Sequence, residues 1–222
     1  LENYIKQSIK EDYVEFEVVY GDTRDKTKNL SKSQFLNLRQ TFTNDTLYTD
    51  LGETNSLDIR TELRNKHKSV SSSMRLTLEG LDQIKSYCKS DTLEPIHYKI
   101  INKLAYKDPK HPTSKFGSIH SSEYPCRVNL KQELPIENHS REGDIFTKDW
   151  PKKNKSFRYK KRFSFLTQDK IWRIDITAIK QTKDNEYFKT FKQAKVLSQP
   201  ERFEIEIEYV GNMDTRSPFS PS

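Results

Sequence analysis

The sequence predicts an α+β fold that is mainly antiparallel β, with its strands forming one barrel or sandwich and a few helices flanking it. Three observations predict it. Eight segments read as strands, most of them alternating apolar with charged residues at a period of two. Only two segments, after Ser31 and after Gly80, carry apolar residues at helical spacing. A length of 222 residues lies within the range that a single barrel or sandwich spans.

Tyr13–Tyr20 (YVEFEVVY) opens the pattern, with Val14, Phe16 and Val18 on one side of the pleat and Glu15, Glu17 and Val19 on the other, before the turn signal Gly21-Asp22. Ser31 or Ser33 caps a predicted helix carrying Phe35, Leu36, Leu38 and Phe42. Ser56–Arg64 and Ser73–Gly80 read as paired strands joined by the polar stretch 65–72, and Leu81–Cys88 as a second helix through Leu81, Ile84 and Cys88. Ile96–Tyr106 follows as a strand, and Lys107–Pro125, rich in Pro and Ser, as a long loop. Cys126–Leu134 alternates again, while 137–154 reads as irregular. Ser156–Leu166 and Ile171–Lys180 form a hairpin around Thr167-Gln168-Asp169-Lys170. Arg202–Val210 (RFEIEIEYV) closes the series with the strictest alternation in the chain. The pattern assigns 1–211 to one domain and 212–222 (NMDTRSPFSPS) to a linker leading to further sequence.

Lys and Arg number 39 against 32 Asp and Glu, a formal charge of +7, which points to an anionic partner without choosing among nucleic acid, phosphate and membrane surface. With mean hydropathy −0.94, no run approaches the roughly 20 apolar residues of a spanning helix. Cys88 and Cys126 have neither metal-ligand spacing nor the density of a disulfide framework, which fits a reducing compartment.

The charges sit inside the strands. Glu204, Glu206 and Glu208 share one face, roughly 6 to 7 Å apart. Taken alone they read best as an edge strand whose acids discourage aggregation. Glu15 and Glu17 repeat the arrangement at the other end of the chain, and a closing barrel brings terminal strands together. Five hard oxygen donors without His or Cys would suit Mg²⁺ or Mn²⁺. Arg158, Lys160 and Arg162 share a face, which alone fits a solvated or nucleic-acid-facing patch equally well. Arg127, Lys131 and Glu133 share another, as do Arg173, Asp175 and Thr177, opposite Trp172, Ile174 and Ile176. Taken together, these strands offer an apolar face to helices outside and keep charge within. Such an interior requires water or a charged ligand, because an unpaired buried ion costs several kcal/mol.

EFEVVYG (Glu15–Gly21) and EIEIEY (Glu204–Tyr209), with RVNLKQE (Arg127–Glu133) and WRIDITAIK (Trp172–Lys180), resemble the triphosphate tunnel metalloenzymes. Within that family the likeness is to the metal-dependent RNA 5′-triphosphatases of fungal and giant-virus capping enzymes, over Tyr13 to Val210. The branch with thiamine triphosphatases and class IV adenylate cyclases carries ExExK on its first strand, where this chain has Val19. The resemblance implies a closed eight-stranded tunnel in which Glu15, Glu17 and Glu208 bind Mg²⁺ or Mn²⁺, supported by Glu204 and Glu206. It also implies that Arg127, Arg158, Lys160 and Arg162 hold phosphate oxygens and that Glu133 or Asp175 positions water, with Arg60, Arg75, Lys131, Arg173 and Lys180 as further substrate contacts.

The implied activity is removal of the γ-phosphate from 5′-triphosphate RNA, the first step of mRNA capping. Guanylyltransferase and methyltransferase domains are expected in the same polypeptide, no membrane is expected, and the implied location is intracellular, in a cytoplasmic virus factory or virion if the source is a giant virus. Two alternatives stay open: a tunnel hydrolase of nucleoside triphosphates or inorganic triphosphate, and a non-catalytic RNA-binding barrel.

Overall fold

A sheet built from strands with one charged and one apolar face can leave the charges in open water or close around them. The computed structural model, which describes residues 13–21, 30–62, 74–94, 98–108, 111–115, 118–183 and 186–211, takes the second course. Its strands are β1 (Val14–Tyr20), β2 (Tyr48–Thr61), β3 (Met74–Glu79), β4 (Tyr98–Ala105), β5 (Lys107–Asp108), β6 (His111–Lys115), β7 (Ile119–His120), β8 (Cys126–Ile136), β9 (Lys155–Thr167), β10 (Trp172–Gln181) and β11 (Arg202–Tyr209). Eight of them close an antiparallel barrel in the order β1-β11-β10-β9-β2-β3-β4-β8, with β8 returning to β1. Outside the ring, β7 pairs with the first residues of β8, and β5 and β6 form a separate ribbon.

The apolar core lies outside the barrel wall. Helix α1 (Lys32–Asn44) starts at a capping box, in which Ser31 Oγ accepts from the Gln34 amide (3.3 Å) and Gln34 Oε1 accepts from the Ser31 amide (2.9 Å). Its Phe35 packs on Phe163 and Phe203 over the outer face of β9, β10 and β11. Helix α2 (Leu81–Ser90) sets Ile84 and Tyr87 on Leu57, Leu76 and Ile100. Helix α3 (Arg141–Thr147) and the 3₁₀ turn Trp150–Lys152 add Phe146 and Trp150 to the same cluster, and α4 (Phe191–Ala194) adds Phe191 against Phe157. A third cluster gathers Phe16, Leu130 and Tyr106, with Trp172 edge-on to Phe16. Burying each such Phe or Leu side chain contributes about 1.5–3 kcal/mol.

All eight predicted barrel strands and both predicted helices are present. The differences fall where the local signals are weak. β2 begins at Tyr48 rather than Ser56, because β9 pairs with it all the way from Tyr48↔Thr167 to Thr61↔Lys155 and overrides the Asp, Gly and Asn in its first half. Gly52, at φ +90°, accommodates a break in that register. The stretch 137–154, read as irregular, holds α3, whose Ser140 cap accepts from Gly143 at 3.1 Å. The expected loop 107–125 contains β5, β6 and β7. The polar stretch 65–72 and the linker 212–222 lie outside the described residues.

Candidate active site

In an antiparallel ladder, residues directly opposite one another share a face. Glu17 stands opposite both Glu208 and Asn129, and Glu15 opposite Lys131. Arg173, Asp175 and Thr177 stand opposite Glu208, Glu206 and Glu204, and Thr177 in turn opposite Arg162. The acids of the two terminal strands and the bases of β8, β9 and β10 therefore line one lumen, while Phe16, Ile174 and Ile176 turn outward.

Inside, every lumenal glutamate of β1 and β11 meets a base. Lys103 bonds Glu15 and sits 2.7 Å from Glu133. Glu17, only 4% exposed, accepts from Lys131 and from Asn129 Nδ2 at 3.1 Å. Arg158 bonds Glu204, Arg162 reaches Glu206 at 3.0 Å, and Arg173 bonds Glu208. Asp175 accepts from Arg162 and Arg173, both at 3.1 Å, and from Ser164 Oγ at 2.6 Å. Arg75 reaches Glu133 at 3.1 Å.

The pairs do not cancel everywhere. Burial raises Glu15 to about 8 against the pull of Lys103, with Glu17, Glu133 and Glu208 adding to the rise. Burial likewise raises Glu208 to about 7 against Arg173, with Asp175 adding to it. Glu133 and Glu206 go the other way. Burial opposes their ionisation, but Lys103 and Arg75 hold Glu133 below the usual carboxylate range, and Arg162 and Arg158 hold Glu206 there. The lumen thus has an acid-rich region around β1 and the end of β11 and a base-rich region around β9 and β3.

Several lining residues carried no expectation: Lys103, Asp58, Thr77, Asn129 and Ser164. Lys103 was legible, since it follows Lys99 by four positions on a strand whose Ile100 and Leu104 take the opposite parity. Asp58 alternates with Leu57 and Ile59 in the same way, and it binds Lys160 at 2.8 Å and accepts from Thr77 Oγ1 at 2.9 Å. One expected residue is misplaced. Lys180 has the outward parity of Ile174 and Ile176, donates to the Leu197 carbonyl at 2.8 Å, and does not face the lumen; Ile179 occupies that side, opposite Lys160. Arg60 and Arg127 face inward near strand ends, away from the carboxylate cluster.

Among the described residues, no three acidic, His or Cys side chains are drawn into a ready metal cage. The donor chemistry nevertheless fits a divalent cation. Glu17 is buried, Glu15 and Glu208 are part-buried, all three are hard oxygen donors, and burial with neighbouring carboxylates raises Glu15 and Glu208 despite Lys103 and Arg173. The base-rich side fits anions, since Arg75 Nε, Arg158 Nε and Thr177 Oγ1 are buried without a hydrogen-bond partner among the described residues.

A closed antiparallel tunnel with an ion-lined lumen and an external core defines a class of fold, and solved structures share it. The triclinic mimivirus capping enzyme triphosphatase matches with a TM-score of 0.62 and 21% identity over 96% of this chain and 88% of that one. Its monoclinic form matches with a TM-score of 0.58 and 19% identity over the same shares. The S. pombe Pct1 RNA triphosphatase matches with a TM-score of 0.55 and 17% identity over 96% and 77%. No protein-family model matches the chain, and no curated protein does. At these identities the likeness establishes the triphosphate-tunnel fold.

Proposed function

We propose that this chain is a divalent-metal-dependent RNA 5′-triphosphatase, releasing the γ-phosphate of 5′-triphosphate RNA in the first step of mRNA capping. The observation that carries the reading is sidedness: glutamates from the first and last strands face the same lumen as Arg158, Lys160 and Arg162, while the core lies outside. The likeness to a capping enzyme triphosphatase and to an RNA triphosphatase supports it.

Glu15, Glu17 and Glu208 would hold Mg²⁺ or Mn²⁺, with Glu204 and Glu206 supporting its surroundings. Bound there, the cation would supply Lewis-acid charge to the γ-phosphoryl group. Arg158, Lys160 and Arg162, with Arg75, Lys131 and Arg173, neutralise the phosphoryl oxygens, and the unpartnered Nε donors of Arg75 and Arg158 fix their direction. Glu133 aligns the attacking water. Its side chain is 24% exposed and its carboxyl is held ionised, whereas Asp175 is 1% exposed and spends its oxygens on Arg162, Arg173 and Ser164. The product would be a diphosphate end, the substrate of a guanylyltransferase, so that activity and a methyltransferase are the partners this reading expects.

Release of labelled orthophosphate from γ-labelled RNA tests the reading. It should vanish with chelator and return with Mg²⁺ or Mn²⁺. A preference for free nucleotide or inorganic triphosphate over RNA would move the substrate to small triphosphates, and no release in any divalent ion would leave a binding module.

A further inference from the structure

The two mouths of the tunnel carry opposite chemistry. β1, β2, β4 and β10 end at one of them, and β3, β8, β9 and β11 begin there. Three lumen-parity arginines lie nearest that rim: Arg60 is the last but one residue of β2, Arg127 the second of β8 and Arg202 the first of β11. None of them forms an ion pair with a described residue, and Arg60 faces Arg75 and Arg158 with Asp58 as its acidic neighbour.

Exposed tyrosines surround the same rim. Tyr20 ends β1 and is 37% exposed, and Tyr124, just before β8, is 68% exposed. Tyr187, 39% exposed, precedes Phe188, whose backbone bridges to Lys155 at the start of β9, and its phenol lies within electrostatic range of Arg60. At the opposite mouth, Glu79, Glu15 and Glu208 lie near their strand ends, and the bases beside them are already engaged: Lys99 with Glu79, Lys103 with Glu15 and Arg173 with Glu208. Among the described residues, a polyanion meets arginines without an ion pair at one mouth and paired acids at the other.

Solvent-facing aromatic rings at the same strand ends as arginines that form no ion pair among the described residues are what a flexible single strand requires: π-faces for bases of any identity and cations for phosphodiesters. We propose that the RNA enters by the arginine and tyrosine mouth. Its first bases stack on Tyr20, Tyr124 and Tyr187, its phosphodiesters meet Arg60, Arg127 and Arg202, and the 5′-triphosphate reaches inward toward Glu17 and Glu208. The inference rests on the reading of the chain as an RNA triphosphatase, but a binding measurement tests it without turnover.

A fluorescent single-stranded RNA of about ten nucleotides with a 5′-triphosphate would be titrated with the full chain by anisotropy at 50 to 200 mM salt. The combined variant Tyr124→Ala, Tyr187→Ala, Arg202→Ala, all at exposed positions, should weaken binding roughly tenfold or more and flatten the salt slope by about 0.7 for the lost phosphate contact. Competition by inorganic triphosphate, which reaches only the lumen, should shift by less than about twofold. Lys99→Ala at the opposite mouth is the control. Unchanged RNA affinity in the combined variant, an equal loss in Lys99→Ala, a parallel loss of inorganic triphosphate competition, or no RNA binding by the wild type would each overturn the assignment. Absence of phosphate release with these binding effects intact would instead count against the hydrolase reading alone.

Discussion

Glu17 and Glu208 stand directly opposite each other across the β1–β11 ladder, two carboxylates on one face of neighbouring strands. Like charges so placed destabilise a sheet. Each is held by a base from its other neighbour, Glu17 by Lys131 of β8 and Glu208 by Arg173 of β10, yet Glu208 still rises to about 7 through burial against Arg173. A bound divalent cation would relieve that repulsion, so Mg²⁺ or Mn²⁺ should stabilise the folded chain. At a hundredfold excess over Kd the gain is about 2.7 kcal/mol, or roughly 5–10 °C in Tm for a domain of this size. Calorimetry with and without metal measures it, and Glu17→Ala should abolish the shift. An unmoved Tm in both metals counts against the site.

The same carboxylates should govern turnover. Glu17→Ala and Glu206→Ala should each lower phosphate release by about 10²-fold or more, by analogy with the loss of a transition-state donor, while circular dichroism shows a folded protein. Lys180→Ala provides the contrast. Its amine lies outside the wall on the Leu197 carbonyl, and the variant should stay within about twofold of wild type. Full activity in either glutamate variant removes that residue from the site.

Asp58 and Lys160 form a buried pair of another kind. Burial alone would push Asp58 up, but Lys160 and Arg75, with hydrogen bonds from Lys160 and Thr77, bring it down to about 2. A carboxyl lowered in the folded state binds fewer protons there than in the unfolded chain. Its stabilisation is therefore complete above the ordinary value of 3.8 and disappears as pH falls toward about 2. Lys160→Met removes the ion-pair partner of a buried carboxylate, leaving it the Thr77 hydrogen bond and the more distant Arg75, and should cost up to about 3–5 kcal/mol at neutral pH. Lowering the pH to about 4 should close part of that gap as Asp58 protonates in the variant. Urea titrations at pH 7 and pH 4 check this, and an equal loss at both values would show that Asp58 does not depend on Lys160.

Alternation made the barrel legible, because a period of two assigns each residue to a face before any partner is known. Glu15, Glu17 and the β11 glutamates were placed correctly on that basis, as were Arg158, Lys160 and Arg162. The same rule, applied fully, excludes Lys180 and includes Lys103. What could not be read was register. Whether Arg75 meets Glu133 or Asp58 depends on how far each strand is shifted against the next, and no single strand encodes that shift. The first half of β2 was hidden for a related reason, since its pairing comes from β9 rather than from its own Asp, Gly and Asn.

Helix α3 escaped notice because its sequence, REGDIFT, holds a glycine where a helix former would be expected, and the structure explains that glycine. A Cβ at Gly143 would lie 2.4 Å from the Glu137 carbonyl and 2.9 Å from that of Asn138, both fixed backbone atoms. The turn cannot easily yield, because Ser140 Oγ donates to the Glu137 carbonyl at 2.7 Å and accepts from the Gly143 amide at 3.1 Å. Gly143→Ala should therefore shift α3, loosen Phe146 and Trp150 on the outer core, and cost about 1–3 kcal/mol. Gly52→Ala has open space around it and a φ of +90°, so it should cost only the left-handed strain, about 1–2 kcal/mol. Chemical denaturation of both variants compares them. Because α3 packs outside the wall, phosphate release per folded molecule should survive Gly143→Ala, and a stability loss no larger than that of Gly52→Ala would show that the Ser140 turn gives way freely.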